Sequence, residues 1–236
     1  MNFFRKRYLL HYMQLNSCYI LIVYSIILSS CTNHNGENLK IVEVYDEPKH
    51  IVVYQKNDVK ILDEQLMPHD TTLFHIHKNP IFYVSFGWQK DAGQLLNGEW
   101  SEYEPEWPLG EIYCDTSYAS KPIIHRSTNG GNSKSRLIGI LNMGSGKDSS
   151  CNSDEYEICN KWFRSNRIVL NEGDTITSSK PDFPFVFVFV NKAKYILIEN
   201  DQIAFSEKDW AYLENQYMLI NKSKSKLEVI KVEVLN

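Results

Sequence analysis

The sequence predicts an all-β protein, and three observations lead to this fold class. Short apolar runs rich in β-branched and aromatic residues recur along the chain after residue 40. Turn-forming residues separate many of these runs at short spacing, which is typical of a β-sandwich or a β-barrel. No segment has the length and the period of a convincing helix, although Glu207–Gln216 would allow one or two helical turns. With 43% apolar and 13% aromatic residues in 236, the chain has enough apolar material for a sizeable core.

The predicted strands follow the apolar runs. Phe185–Val190 is apolar throughout, which predicts a strand buried on both faces. In Leu227–Val234 the apolar residues change from one face to the other, which predicts either a bulge or a strand buried on both sides. The predicted strands are Ile51–Tyr54, Val59–Leu62, Ile81–Phe86, Arg136–Leu141, Arg167–Leu170, Phe185–Val190, Tyr195–Ile198 and Leu227–Val234.

The first 30 residues differ in composition from the rest and have the parts of an export signal. The basic cluster Arg5–Arg7 precedes an apolar run from Cys18 to Leu28, and no acidic residue occurs before Glu37. A basic segment, a short apolar segment and small residues at a cleavage site are the parts of a signal peptide. About 11 apolar residues rise only about 16 Å as a helix, which is too short for a hydrocarbon core of about 30 Å.

The apolar run ends in Leu28-Ser29-Ser30-Cys31, which resembles the lipobox of bacterial lipoproteins. The resemblance implies that the Cys31 thiol receives a diacylglycerol and that cleavage after residue 30 makes Cys31 the first residue. Residues 31–40 then form a tether, and the protein lies in the bacterial cell envelope, membrane-anchored and either periplasmic or surface-exposed. The alternative is an uncleaved signal anchor that starts near Tyr8. His11, Gln14 and Asn16 would then lie in lipid or its interface, which is costly.

Charge and cysteine content both bear on the partners and the compartment. Removing residues 1–30 removes three basic residues and no acidic one, which changes the formal net charge from −4 to about −7. Because no basic patch runs along this acidic chain, we expect no nucleic-acid partner. Cys151 and Cys159 flank a short polar stretch, and a disulfide between them agrees with an oxidising compartment. The alternatives are free or buried thiols that include Cys114, or a zinc site, for which the spacing is weaker evidence.

Three of the seven histidines form the candidate site. His75 and His77 are two residues apart in the strand-like stretch Thr71–His77, so their side chains would point to the same face of a sheet. His125 lies in a second strand-like stretch, Pro122–Ser127. By contrast, His34, His50 and His69 have polar neighbours and are expected to be exposed.

The histidine pattern resembles the cupin superfamily over roughly residues 42–141. His75-x-His77 followed by Ile81–Phe86 and Gly87 is similar to the first cupin motif, and His125 four residues before Asn129 is similar to the second. The resemblance implies a jelly-roll barrel in which His75, His77 and His125 bind a divalent metal. Three imidazoles suit Zn, Fe, Mn, Ni or Cu and do not distinguish among them. The alternative is that the three histidines are hydrogen-bonded polar groups at the mouth of a barrel.

The sequence also departs from the cupin pattern. The glutamate that usually follows the second histidine by four or five residues is replaced by Ile81 or Phe82, so that ligand is missing. The expected glycine and proline are replaced by His69 and Ser120. Residues 89–110 hold an inserted hairpin or loop with several acidic residues and tryptophans. The acidic residues of this insert could overhang the barrel or form a solvated loop: Glu99, Glu102, Glu104 and Glu106. The tryptophans Trp88, Trp100 and Trp107 could stack on a ligand or pack in the core.

The domain organisation follows from these segments. We predict a cupin-like barrel over residues 41–145, an irregular linker over 146–161, and a second β unit over 162–236. The second unit has a similar rhythm of strands and turns, and Asn221 would correspond to Asn129, but it contains no histidine. We interpret it as a degenerate second cupin repeat of a bicupin, and the alternative is one larger sandwich.

Two functional hypotheses follow. The first is a metal-dependent cupin enzyme that acts on a small molecule outside the cytoplasm. The second is a non-catalytic, metal-free binding or structural lipoprotein on a cupin scaffold. No acidic or basic side chain stands at a spacing that selects a reaction, and no phosphate-binding loop or nucleophile elbow is present.

Overall fold

The computed structural model describes residues 39–148, 155–205 and 208–236, and these residues form eighteen β-strands and two short 3₁₀ turns. The 3₁₀ turns are Val44–Asp46 and Ser117–Ala119. Strands of the first half, residues 40–148, are β1 Ile41–Glu43, β2 His50–Lys56, β3 Val59–Leu66, β4 Phe74–His77, β5 Ile81–Ser85, β6 Asp91–Leu95, β7 Ile112–Asp115, β8 Ile123–Asn129 and β9 Ser135–Asn142. Strands of the second half, residues 155–236, are β10 Ile158–Cys159, β11 Phe163–Leu170, β12 Thr175–Ser178, β13 Phe185–Phe189, β14 Tyr195–Glu199, β15 Gln202–Phe205, β16 Trp210–Leu213, β17 Tyr217–Asn221 and β18 Leu227–Val234.

Each half is built from one five-stranded and one four-stranded sheet. In the first half the sheets have the orders β2-β3-β9-β5-β7 and β1-β4-β8-β6. In the second half the orders are β10-β11-β18-β13-β16 and β12-β17-β14-β15. All pairings are antiparallel except that of β1 with β4. Two sheets facing each other around a core are the arrangement of a jelly-roll barrel.

Alternation along the central strands places apolar side chains in three cores. On β5, Ile81 and Tyr83 pack inside the first half, whereas Phe82 and Val84 pack against the second half. On β13 the same rule sends alternate residues to the interior of the second half and to the shared core. Because both faces of these strands are buried, their sequences are almost entirely apolar, with Ser85 at the end of β5 as the exception. The shared core joins the halves, and residues 40–236 form one compact unit.

The structure confirms most of the predicted strands and corrects one element. All eight apolar runs lie in strands, with ends that differ by a few residues. Leu227–Val234 carries no bulge: Val229 packs inside the second half and Ile230 in the shared core, so the strand is buried on both sides. The helical turns predicted for Glu207–Gln216 are wrong, since Trp210–Leu213 is strand β16 and pairs with β13. No helix among the described residues is long and apolar enough to cross a membrane.

Candidate metal centre

The predicted histidines meet inside the barrel of the first half. His75 and His77 lie on β4 with one residue between them, so both rings project from the same face of the sheet. The neighbouring strand β8 places His125 directly opposite His75 in the antiparallel ladder. Ring centroids are 5.0 Å apart for His75 and His77, 4.6 Å for His75 and His125, and 4.9 Å for His77 and His125. One nitrogen from each ring lies within 4.8 Å of the other two.

The hydrogen bonds of the three rings leave nitrogen lone pairs without partners. The Nδ1–H of His75 donates to the carbonyl of Leu73 at 2.9 Å, which leaves His75 Nε2 unprotonated and 3.1 Å from Nε2 of His77. Nδ1 of His77 and Nε2 of His125 are buried and have no hydrogen-bond partner. Buried ring nitrogens normally have partners, and leaving one without costs about 1–3 kcal/mol. Two nitrogens that bind one ion at about 2.0–2.1 Å stand about 3 Å apart, as Nε2 of His75 and Nε2 of His77 do.

Burial keeps the three imidazoles neutral. It lowers the pKa of His75 to about 2, with further lowering by His50 and His125. Burial likewise lowers the pKa of His125 to about 4, with a contribution from His50, and that of His77 well below its ordinary value. Neutral imidazole is the form that binds a metal, so the three rings need not lose protons at neutral pH to act as ligands.

A buried ion cluster lies behind His75, and the sequence reasoning missed it. His50 is buried, contrary to the expectation that it is exposed, and its ring contacts the edge of His75 at a centroid distance of 4.7 Å. Its Nδ1–H donates to the Val44 carbonyl at 3.1 Å, and its Nε2 is 3.3 Å from the Glu64 carboxylate. Burial alone would lower the pKa of His50, but Glu64 and Glu47 outweigh it and raise that pKa.

Glu47 connects this cluster to the candidate ligands. Its carboxylate is buried, and it accepts hydrogen bonds from the backbone N–H of Lys49 at 2.6 Å and of Leu73 at 3.1 Å. The carbonyl of Leu73 in turn accepts the Nδ1–H of His75. Glu47 therefore helps to fix the loop that orients His75, as partners behind a metal ligand commonly do.

The glutamate that cupins place after the second histidine is absent from that strand. Ile81 and Phe82 are both fully buried, the first inside the first half and the second in the shared core. The buried carboxylate near the histidines comes instead from Glu64 on β3, where Leu62, Glu64 and Leu66 share the inward face. A charged residue at an inward position of an apolar strand was the signal that could have identified Glu64. His69 is exposed as expected, and His34 lies outside the described residues.

A cavity of about 740 Å³ opens over the three histidines. Tyr118 lines it and contacts His77 at a ring-centroid distance of 4.9 Å. The predicted insert, residues 89–110, contributes one wall, because β6 pairs with the segment around residues 100–107 through isolated bridges. Glu99, Glu104 and Trp107 line the cavity, as does Trp88 before the insert. All four glutamates are exposed, but Glu102 and Glu106 do not line the cavity, and Trp100, which is 39% exposed, lies beneath the Arg126 guanidinium.

The cysteine predictions have different outcomes. Cys114 is a free thiol, and burial raises its pKa to about 12. Cys159 is disulfide-bonded. Cys151, its predicted partner, and Cys31, the predicted lipid attachment site, lie outside the described residues, so the pairing and the lipid remain predictions.

Comparisons with known proteins give matches at the level of structure. No family model matches the chain, and no curated protein matches its sequence. The chain is similar to the crystal structure of AerE from Microcystis aeruginosa, with 14% identity, a TM-score of 0.60, and coverage of 78% of this chain and 90% of AerE. It is also similar to salicylate 1,2-dioxygenase from Pseudaminobacter salicylatoxidans, with 10% identity, a TM-score of 0.55, and coverage of 79% and 77%.

Two further similar structures carry cupin or metal descriptions. A cupin 2 conserved barrel domain protein from Leptotrichia buccalis has 9% identity, a TM-score of 0.50, and coverage of 78% of this chain and 87% of that protein. Oxalate decarboxylase from Bacillus subtilis, described with Mn(II) centres, has 9% identity, a TM-score of 0.51, and coverage of 76% and 69%. At these identities the likeness establishes the architecture. The chain has the cupin fold.

Proposed function

We propose that this chain is an exported, lipid-anchored protein that binds a divalent metal through His75, His77 and His125 and takes up a small molecule in the cavity above them. The observation that carries the metal proposal is the set of three converging, neutral imidazoles, two of which have a buried nitrogen without a hydrogen-bond partner. An ion bound by Nε2 of His75 and of His77 would lie where these two nitrogens are 3.1 Å apart, and binding by Nε2 of His125 would give that buried nitrogen the partner it lacks. Similarity of fold to an oxalate decarboxylase with Mn(II) centres supports the same proposal.

The donor set fits a borderline transition metal. Imidazole nitrogen suits Zn, Fe, Mn, Ni or Cu, and three such ligands leave coordination positions open for water or substrate. A metal held by these residues would supply Lewis acidity. Among the chain's own residues, Leu73 fixes the ring orientation of His75 through its carbonyl.

A non-catalytic role is the second candidate, and a specific observation favours it. The positions where cupins carry a glutamate ligand are occupied by the buried apolar residues Ile81 and Phe82. Glu64 is not among the side chains whose ligand atoms converge. A metal with three protein ligands can serve binding alone, without turnover.

Metal uptake by the full chain in detergent tests the proposal. Wild-type protein, His77→Ala and the matched control His69→Asn are each equilibrated with Mn(II), Fe(II), Co(II), Ni(II), Cu(II) or Zn(II), and the bound metal is measured after dialysis. We expect about one ion per chain for wild type and for His69→Asn, and a large loss for His77→Ala. Asparagine suits the control because His69 has a positive φ of 64°. Equal and negligible uptake by wild type and His77→Ala would contradict the metal site.

The anchor rests on the amino-terminal sequence and has its own test. Cys31→Ser removes the thiol that the lipobox pattern predicts to be lipidated. We expect processed Cys31→Ser protein to be absent from the membrane fraction, whereas Cys114→Ser remains membrane-bound. If processed Cys31→Ser protein still sediments with membranes, the lipid anchor is wrong.

A further inference from the structure

We propose that the cavity over the histidines binds an organic cation in preference to a carboxylate of the same shape. Such a cation is a small molecule with a protonated amine and an apolar body about the size of one aromatic ring. This inference rests on the proposed function, because it names the substrate class of the same site. It also separates this chain from the similar structures whose names include salicylate and oxalate, since those molecules carry carboxylates.

The charges of the cavity wall favour a cation. Four carboxylates line the cavity, and neither Lys nor Arg lines it among the described residues. Glu64 pairs with His50, whereas the other three carboxylates have no ion-pair partner among the described residues: Asp91 and the exposed Glu99 and Glu104. A concave site lined by one sign of charge concentrates ligands of the opposite sign.

The basic side chains beside the histidines are turned away from the cavity. Arg126 follows His125 on β8, and its guanidinium lies over the rings of Phe74 and Trp100. Its Nε–H donates to the side chain of Gln94 at 2.7 Å. Lys78 follows His77 and donates to Glu43 at 2.5 Å. Neither basic group therefore offers a carboxylate ligand an ion pair in the cavity.

Asp91 and Glu104 form a pair of like charges at one position of the wall. They are directly opposite across an antiparallel bridge, where the Glu104 N–H donates to the Asp91 carbonyl at 2.7 Å, so their side chains share a face. Like charges at such a position are destabilising unless something positive lies between them. Oδ1 of Asp91 is buried without a hydrogen-bond partner, although the Trp88 side chain hydrogen-bonds the same carboxylate, and the exposed Glu104 lines the cavity beside it.

Glu64 adds an unpaired polar atom at the base of the same cavity. Its side chain is 5% exposed, and one carboxylate oxygen, Oε2, lies 3.3 Å from His50. The other oxygen, Oε1, is buried and makes no hydrogen bond of normal geometry, although the Tyr83 side chain interacts with this carboxylate and both residues line the cavity. A buried acceptor without a partner is a place where a ligand with N–H donors gains a hydrogen bond.

Aromatic rings complete the site for an organic cation. Trp88 and Trp107 are opposite one another in the same ladder that carries Asp91 and Glu104. Tyr113 packs against Trp107 at a centroid distance of 5.5 Å, and it lines the cavity together with Tyr118. Ring faces attract ammonium groups and pack against apolar bodies, and carboxylates beside them pair with the charge.

Equilibrium binding of three probes to the metal-free full chain tests the selectivity of the cavity wall, because a bound divalent ion would itself attract a carboxylate. Benzylamine, benzyl alcohol and benzoate have the same ring and similar size, and they differ in charge. We expect benzylamine to bind at least about fivefold tighter than benzoate, with benzyl alcohol between them. Benzyltrimethylammonium, which cannot coordinate a metal, is expected to bind more tightly than benzoate as well. Tighter or equal binding of benzoate, or no measurable binding of benzylamine at millimolar concentration, would overturn the proposal.

A pair of variants locates the selectivity in the wall. Asp91→Asn with Glu104→Gln is expected to reduce the preference for benzylamine over benzoate by about fivefold, whereas Glu102→Gln, an exposed carboxylate of the same insert, leaves it unchanged. If the double variant changes metal uptake but not the order of the probes, the carboxylates serve the metal and the inference is wrong. If the protein takes up no metal but still prefers benzylamine, the metal proposal is wrong and the proposal of cation selectivity stands.

Discussion

The two halves of the chain share a strand order, yet the first encloses a cavity with histidines and the second a packed aromatic core. The five-stranded sheets β2-β3-β9-β5-β7 and β10-β11-β18-β13-β16 correspond strand by strand. In the first half the space between the sheets holds His75, His77 and His125 beneath a cavity of about 740 Å³. In the second half the corresponding space is occupied by rings that contact one another, including Phe185, Phe187 and Tyr217.

A buried asparagine in each half gives the register for this comparison. The amide of Asn129 donates to the carbonyls of Leu66 and Ser133, and its oxygen accepts from the N–H of Gly131. Asn221 makes the same three hydrogen bonds, at equivalent places in its own half, with Leu170, Ser225 and Ser223. Both side chains are fully buried. The two asparagines therefore close the same turn and mark equivalent positions.

The residue four positions before each asparagine differs between the halves. In the first half this position is His125, which pairs with His75 in the ladder. In the second half it is Tyr217, which pairs with Ser178. Tyr217 lies against Phe185 and Phe187 at centroid distances of 5.3 and 5.1 Å. The same architecture thus supports a polar site where small or polar groups leave space, and a stabilising core where aromatic rings fill it.

The largest expected effect separates the stabilising core from the site. Phe187→Ala removes a fully buried ring, and we expect it to lower the free energy of unfolding by about 3–5 kcal/mol. His125→Ala removes a side chain with an unsatisfied buried nitrogen, and we expect it to cost under about 1 kcal/mol in metal-free protein. Urea unfolding measures both, with Ile203→Ala as an exposed control. Similar losses for Phe187→Ala and His125→Ala would show that the halves do not divide stability and site in this way.

The asparagine pair gives the next largest effect. Asn129→Ala and Asn221→Ala each remove three buried hydrogen bonds, and we expect losses of about 2–3 kcal/mol of unfolding free energy, similar in the two halves. Only Asn129→Ala should also weaken metal uptake, because Asn129 ends the strand that carries His125. Uptake that falls equally in both variants would mean that the loss reflects general unfolding.

The sequence predicts those features that depend on local pattern. Strands such as Phe185–Phe189 follow from continuous apolar runs, and the shared face of His75 and His77 follows from a separation of two residues in a strand. The proximity of His125 came from its resemblance to a motif, and the ladder places it opposite His75. Neither conclusion needed knowledge of which sheets pack together.

The features that the sequence did not predict depend on pairing between distant segments. His50 has polar neighbours along the chain. It is buried beside His75 because β2 pairs with β3 in the barrel. Glu47 acts through Leu73, which is twenty-six residues away. Glu207–Gln216 was expected to allow one or two helical turns, but pairing with β13 makes Trp210–Leu213 a strand. In each case tertiary contacts override the local pattern.

A smaller effect is expected from the residue that orients His75. Glu47→Ala removes the acceptor for the Leu73 N–H, so the loop that holds the His75 ring loses a fixed point. We expect the dissociation constant of the metal to rise by about tenfold, in line with losses behind other metal ligands. A metal titration monitored by calorimetry measures this change, and Glu106→Gln, an exposed acidic residue, is the control. Unchanged metal affinity in Glu47→Ala would exclude this positioning role, provided that its circular dichroism matches wild type.

The smallest effect concerns the link between the two halves. Arg136 on β9 binds the Asp63 carboxylate through both Nε and Nη2, at 2.8 and 2.9 Å, and reaches Asp209 of the second half through Nη1 at 2.6 Å. Arg136→Lys keeps the charge but cannot span both carboxylates, and partial solvent exposure limits the loss of unfolding free energy to about 1 kcal/mol. Denaturant unfolding at low and high salt measures it, and the difference from wild type should shrink as salt screens the pairs. The site of the first half should bind metal as before, because Arg136 lies on the face of β9 that points away from the cavity, alternating with Leu137, which lines it. A change in metal affinity in Arg136→Lys would mean that the second half acts on the site through this contact, and the division between a binding half and a stabilising half would then be too simple.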